Sequence, residues 1–201
     1  YLLRSAIRPD QPRPSIETLL HAFVAAPHVD HTHPDAVIAL TSTPRGRELV
    51  EETFGSEVVW LPYQRPGFAM SRRIAELLDE NPSARAVLLE KHGLVTWGES
   101  GEESYRATIE FVSRAAEAIA DAAGGLFGLG GTKAEPLADN AANAVVAALP
   151  ALRGALLEDA DGVVLEVDRS DEAIAFVSSA RAPEVSQVGA PCPDHLIHTK
   201  H

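Results

Sequence analysis

The chain has 201 residues, with 17 Lys+Arg against 29 Asp+Glu, so its formal charge is 17 − 29 = −12. An apolar fraction of 45% can build a core and lies outside the range of disordered chains, and the length suits one domain with, at most, a small appendage. The acid excess, with no dense Lys/Arg run, excludes a nucleic-acid surface, and no apolar run approaches the roughly 20 residues of a membrane-spanning helix. Small molecules or other protein chains remain as partners.

Cys192 is the single cysteine and cannot close an internal disulfide, which fits a reducing, cytoplasmic compartment. No signal peptide opens the chain. It starts at Tyr1 and its only methionine is Met70, so a processed or truncated polypeptide is expected.

Residues 1–14, rich in proline, read as an extended lead-in. Ser15 is an N-cap candidate before a helix whose apolar positions are Ile16, Leu19, Leu20 and Phe23, ending ahead of Pro27. Residues 28–33, HVDHTH, alternate as a short strand. Pro34 opens a helical turn over DAVIALTS, and residues 44–55 read as a helix closed by Gly55. EVVWLPY is a strand running into a loop, FAMSRRIAELLDENP an amphipathic helix, and ARAVLLEKHG a buried strand. LVTWG (94–98) is either the hairpin partner of that strand or its continuation across Gly93. Ser100 and Glu103 form a capping-box pattern ahead of a long Ala-rich helix to about Ala123, whose Tyr105, Ile109, Val112, Ala116 and Ile119 read as core or subunit interface. The Gly-rich stretch 124–131 reads as a connector. Helices over 138–149 and 171–179 and a strand over 162–167 complete the pattern. Alternation of helix and strand over residues 15–123 indicates a layered α/β domain.

Eight histidines are distributed unevenly along this acidic chain. His31 and His33, two apart on a strand, project from one face, so both imidazoles can reach one ion at about 2.0–2.1 Å. His92, at a strand end beside Gly93, can supply a third nitrogen, leaving an open position on a zinc-like ion for water or substrate. His-x-His alone also occurs as solvated or hydrogen-bonded histidine. Glu17, 14 residues upstream of His31, strengthens the pattern, because a carboxylate beside such an ion can act as general acid or base. The same glutamate could equally be a helix N-terminal acid favoured by the macrodipole.

Ser15-Ile16-Glu17 with His21, then HTHPDAVIAL at 31–40, LPY at 61–63 and LLEKHGLVTWG at 88–98 resemble the class II aldolase/adducin superfamily over roughly residues 13–123. The chain is similar above all to the aldolase part of bifunctional rhamnulose-1-phosphate aldolase/short-chain dehydrogenase proteins, through RPSIETLLHAF, HVDHTHPDA, LRGAL, DEAIAFVSSA and CPDHLIHTK. The resemblance implies a three-layer α/β/α class II aldolase-like domain over 1–123 and a Gly-rich connector with a mostly helical C-terminal extension over 124–201. It implies that His31, His33 and His92 hold a divalent ion, usually zinc, with Glu17 as catalytic acid/base. Ser15 stands as a phosphate contact. The implied reaction is reversible cleavage of a ketose 1-phosphate, rhamnulose-1-phosphate-like, to dihydroxyacetone phosphate and a small aldehyde, in a cytoplasmic homo-oligomer. A non-catalytic adducin-like assembly module, or a metal-dependent epimerase, decarboxylase or dehydratase on the same fold, are the alternatives.

The family places phosphate-binding loops and strands ahead of the Glu-bearing helix, whereas 14 residues precede Ser15. An incomplete aldolase domain, ending before any dehydrogenase half, is therefore expected. GGLFGLGG matches neither nucleotide-loop pattern. Cys192, Asp194, His195 and His198 form a second polar cluster, read as a chain end rather than a metal site.

Overall fold

The computed structural model describes residues 2–8, 10–123, 129–134, 142–156, 164–192 and 195. Strands β1 (His28–Thr32), β2 (Val58–Leu61), β3 (Ala86–Leu89) and β4 (Gly93–Gly98) form one sheet in the order β1-β4-β3-β2. β1 and β3 both pair antiparallel with β4, and β2 runs parallel to β3. LVTWG is thus the hairpin partner of the buried strand. The parallel pair needs a crossover, which α4 (Phe68–Glu80) supplies.

Period-two alternation decides which helix covers which face. Val59, Leu61, Val87, Leu89 and Val95 point one way, onto Leu20 and Val24 of α1 (Thr18–Phe23) and Met70 and Ile74 of α4. Val58, Trp60, Ala86, Leu88 and Leu94 point the other way. They meet Val37 and Leu40 of α2 (Asp35–Ser42), Val50 and Phe54 of α3 (Gly46–Phe54), and Phe111 and Ala115 of α5 (Gly101–Ala123). With helices on both faces, every residue of β3 is buried, so its sequence is a continuous apolar run. The result is the expected three-layer α/β/α arrangement.

Several local readings shift. Residues 2–4 form a short 3-10 turn inside the lead-in. The first helix starts at Thr18 because Ser15 makes a turn of its own, its Oγ accepting from the Glu17 N–H at 3.1 Å and its carbonyl from Thr18 N–H at 3.1 Å. On α5, Phe111 and Ala115 are the buried core residues and the expected Val112 and Ile119 pack against them partly buried, whereas Tyr105 and Ile109 stand exposed. Ser100 caps α5 as expected, accepting from Glu103 N–H at 3.2 Å, but the Glu103 carboxylate takes the N–H of Glu99 at 2.8 Å rather than that of Ser100.

By its internal contacts the chain divides into two units, residues 1–122 with 189–201, and residues 123–188. The described part of the second unit carries α6 (Ala142–Leu156), α7 (Asp171–Val177) and α8 (Ala182–Val185). Its Gly-rich end is anchored, with Gly130 and Gly131 at φ 78° and 75°, and with Ala180 N–H and Arg181 N–H donating to the carbonyls of Gly131 and Leu129. The expected strand over 162–167 is not formed in its described part, 164–167, which has no ladder partner, and residues 162 and 163 lie outside the described residues, as do 124–128 and 138–141.

Candidate metal centre

The C-terminal ends of β1, β2 and β3 lie at the same end of the sheet, because Thr32 pairs with Leu94, Leu89 with Gly93, and Leu61 with Leu89. β1 therefore delivers His31 and His33 to that end, and the β3–β4 turn delivers His92. Val29 belongs to the face covered by α1, and His31, two residues on, shares that face, where Glu17 stands as the N-cap of α1.

These four side chains converge. One ligand-type atom from each of Glu17, His31, His33 and His92 lies within 4.8 Å of the others. His31 Nε2 and His33 Nε2 are 3.0 Å apart, and Glu17 Oε1 is 3.4 Å from His31 Nε2 and 2.8 Å from His92 Nε2. Two nitrogens bound to one ion at about 2.0–2.1 Å can be at most about 4.2 Å apart, so these separations suit a shared ion. It is the one such grouping among the described residues.

Two observations test whether the residues suit a cation. His31 Nδ1 lies 2.9 Å from the carbonyl oxygen of Leu94, which can only accept, so the ring proton belongs on Nδ1 and the Nε2 lone pair faces the cluster. His92 is 3% exposed, and neither of its ring nitrogens has a hydrogen-bond partner. Glu17 comes within 2.8 Å of one of them, but off the direction of a ring N–H. A buried ring nitrogen without a hydrogen bond costs about 1–3 kcal/mol, a cost that an ion bound to that nitrogen would remove. The donor set fits a borderline-soft divalent cation such as zinc.

The neighbouring His31 and His92 rings hold the Glu17 carboxyl well below the usual carboxylate range, against the opposing effect of burial. Glu17 is therefore an anion at neutral pH, inside the cluster and partly open to solvent.

The turn carrying His92 is fixed by its backbone. Glu90 N–H donates to Leu61 O at 3.0 Å, Lys91 N–H to Thr41 Oγ1 at 3.2 Å, and His92 N–H to Leu89 O at 3.1 Å. Lys91 sits in the left-handed region at φ 56°, an uncommon conformation for a side chain of this size. Gly93 follows, and a Cβ there would collide with the Thr32 carbonyl oxygen and lie 2.8 Å from His33 Cδ2.

The other singled-out residues fall as follows. Ser15 is exposed, with its hydroxyl accepting the Glu17 N–H. His21 is outside the cluster, with Nδ1 donating to Val29 O at 3.0 Å. Cys192 is buried, and His195 Nε2 lies 3.0 Å from Asp35 Oδ1, while Asp194 and His198 lie outside the described residues. Thr41, which holds the turn, and Glu90, whose carboxylate reaches from it to Tyr63, carry no sequence signal, since their partners are 50 and 27 residues away.

Comparison with known proteins gives the family of the chain. The sequence profile of the class II aldolase and adducin N-terminal domain matches residues 3–119. The chain belongs to that family. A second profile, the second domain of class II aldolases, matches residues 143–201. The uncharacterized oxidoreductase YuxG of Bacillus subtilis (strain 168) is 46% identical over all 201 residues, which span 29% of its length. The N-terminal class II aldolase domain of a conserved Thermoplasma acidophilum protein is 37% identical, with a TM-score of 0.55 over 59% of this chain and 54% of that one. YgbL from Escherichia coli is 29% identical, with a TM-score of 0.40 over 52% of this chain and 56% of its own. The profile match over residues 3–119 and the Thermoplasma domain establish the class II aldolase fold. Among the described residues, no helix is long and apolar enough to cross a membrane.

Proposed function

We propose that this class II aldolase-family chain is a metal-dependent carbon–carbon lyase that reversibly cleaves a ketose 1-phosphate of the rhamnulose-1-phosphate kind, giving dihydroxyacetone phosphate and a small aldehyde. The observation that carries the reading is the convergence of Glu17 with three imidazoles, one of which is buried with no other partner. His31, His33 and His92 would hold the ion, and zinc suits them. When bound, the ion supplies Lewis-acid polarisation of a carbonyl and its neighbouring hydroxyl.

The chain's own residues supply the rest. Glu17 is ionised at neutral pH and so enters as a base, able to take a proton from a hydroxyl placed at its Oε atoms and return it later as an acid. The Leu94 carbonyl fixes the orientation of His31. The side chains of His31 and His92 are 5% and 3% exposed, which limits bulk water around the Glu17 carboxylate. An assembly module would need neither this carboxylate nor the buried imidazoles. Support for the substrate is the resemblance of the chain to the aldolase part of rhamnulose-1-phosphate-type fusion proteins.

The test is cleavage of ketose 1-phosphates by zinc-loaded protein, followed as release of dihydroxyacetone phosphate. Glu17→Gln keeps the shape and removes the base; turnover should fall by at least about 100-fold while the zinc content stays at one ion per chain. Absence of turnover, for the chain and for the chain extended to the length of its Bacillus relative, overturns the reading.

A further inference from the structure

The Glu90 side chain stands apart from the hydrogen bonds that build its own turn. Residues 90–92 are held through three backbone donors, to Leu61 O, Thr41 Oγ1 and Leu89 O, so the turn that presents His92 does not need the Glu90 carboxylate. That carboxylate reaches across to the loop between β2 and α4, where its Oε2 accepts the N–H of Tyr63 at 3.0 Å. Its other oxygen is 3.5 Å from Lys91 Nζ, an exposed pair that contributes little. The register places the two segments side by side: Leu61 pairs with Leu89, Glu90 is one residue past that pair, Tyr63 two and His92 three.

The bridged loop, residues 62–67, runs past the C-terminal end of β2, the end of the sheet that carries the metal cluster. Tyr63 and Arg65 on it are exposed, and Arg65 forms no ion pair among the described residues. A loop with two prolines and a glycine at φ 135° has little regular hydrogen bonding of its own. At its far end Gly67 O accepts from Ser71, and midway one charge-assisted bond ties it to a carboxylate two residues from His92.

We propose that Glu90 is a positioning residue. It pins the β2–α4 loop to the turn that presents His92, and so sets the geometry with which that loop meets a substrate held at the cluster. The inference rests on the aldolase reading for its effect on turnover, and on the Tyr63 hydrogen bond alone for its effect on the loop.

The experiment compares Glu90→Ala and Glu90→Gln with the unaltered protein in three measurements: zinc affinity, steady-state kinetics on a ketose 1-phosphate, and exchange of the Tyr63 amide by NMR. Glutamine retains an accepting oxygen, whereas alanine has none. In Glu90→Ala the Tyr63 amide should exchange at least about tenfold faster and kcat/KM should fall about tenfold, as expected for the loss of a charge-assisted bond. KM should carry most of that fall, with zinc affinity within about threefold of the unaltered value. Glu90→Gln should recover both exchange and kinetics to within about threefold.

A Tyr63 amide equally protected in Glu90→Ala overturns the proposal, as does an unchanged kcat/KM. Loss of zinc binding in Glu90→Ala also overturns it, since the side chain would then be part of the turn. If neither the unaltered chain nor its extended form cleaves a ketose 1-phosphate, the aldolase reading fails, and the amide exchange still decides whether Glu90 pins the loop.

Discussion

Gly93 illustrates how a single residue couples backbone spacing to the metal cluster. The chain needs β1 to end against the start of β4, so that His33 can turn toward His92. At that crossing the Thr32 carbonyl and the His33 ring occupy the volume that a Cβ would take. No positive φ is involved at Gly93; the requirement is one of space. Gly93→Ala should therefore displace the end of β1 and separate His33 from the other ligands. The expected outcome is a loss of at least about tenfold in zinc affinity by competition with a chromophoric chelator, together with destabilisation of about 1–3 kcal/mol from overpacking. Wild-type zinc affinity in that variant would mean that the strand end gives way without moving His33. The site glycine and the three histidines were legible in the sequence because His-x-His on a strand and His-Gly at a strand end are local patterns. The left-handed Lys91 was not, since nothing in its identity announces a positive φ; the hydrogen bond from its N–H to Thr41, 50 residues away, helps to hold it there.

At the scale of elements, strand alternation and helix periodicity were readable because they record burial directly. What they did not show is how α5 is tied down at its middle. Arg85, just before β3, donates to Glu57 Oε2 at 2.7 Å and to both carboxylate oxygens of Glu110 on α5, at 2.9 and 2.7 Å. Arg114 joins the same group, 3.1 Å from Glu57 and over the rings of Phe54 and Phe111. The two carboxyls are held below their ordinary value, in both cases first by Arg85. A depressed folded-state pKa contributes stability above the unfolded value of about 4.5, and that contribution disappears as the pH falls through the folded pKa. All three groups are more than a third exposed, so solvent screening limits each pair to about 0.2–1 kcal/mol. Arg85→Met keeps the apolar stem and removes the charge. Its urea midpoint should lie below that of the unaltered protein at pH 7 and converge with it as the pH drops from 4.5 toward 2. The gap at pH 7 should narrow in 1 M salt. A gap that persists at low pH would assign the effect to the Arg85 guanidinium over the Phe111 ring, 5.3 Å from its centroid, instead.

Over the whole molecule, the candidate centre draws on three separate elements: the N-cap of α1, the end of β1 and the β3–β4 turn. An unfolded chain scatters these residues over positions 17 to 92, so an ion that needs all of them binds only the folded first unit. Binding therefore adds to folding stability by RT ln(1 + [Zn]/Kd), about 2.7 kcal/mol at a hundredfold excess over Kd. It also satisfies one of the two buried His92 nitrogens. His92→Ala separates these contributions. Without metal, the variant loses packing but also removes a buried unpartnered ring, two effects of opposite sign, so its urea midpoint should lie close to that of the metal-free unaltered protein. With zinc, the unaltered protein should rise by the full linkage increment and return to its starting midpoint on addition of a chelator, while His92→Ala should gain less than about a third of it. Equal zinc increments in the two proteins would place the ion elsewhere, and an increment that survives chelation would show that the shift is not a binding equilibrium at this cluster.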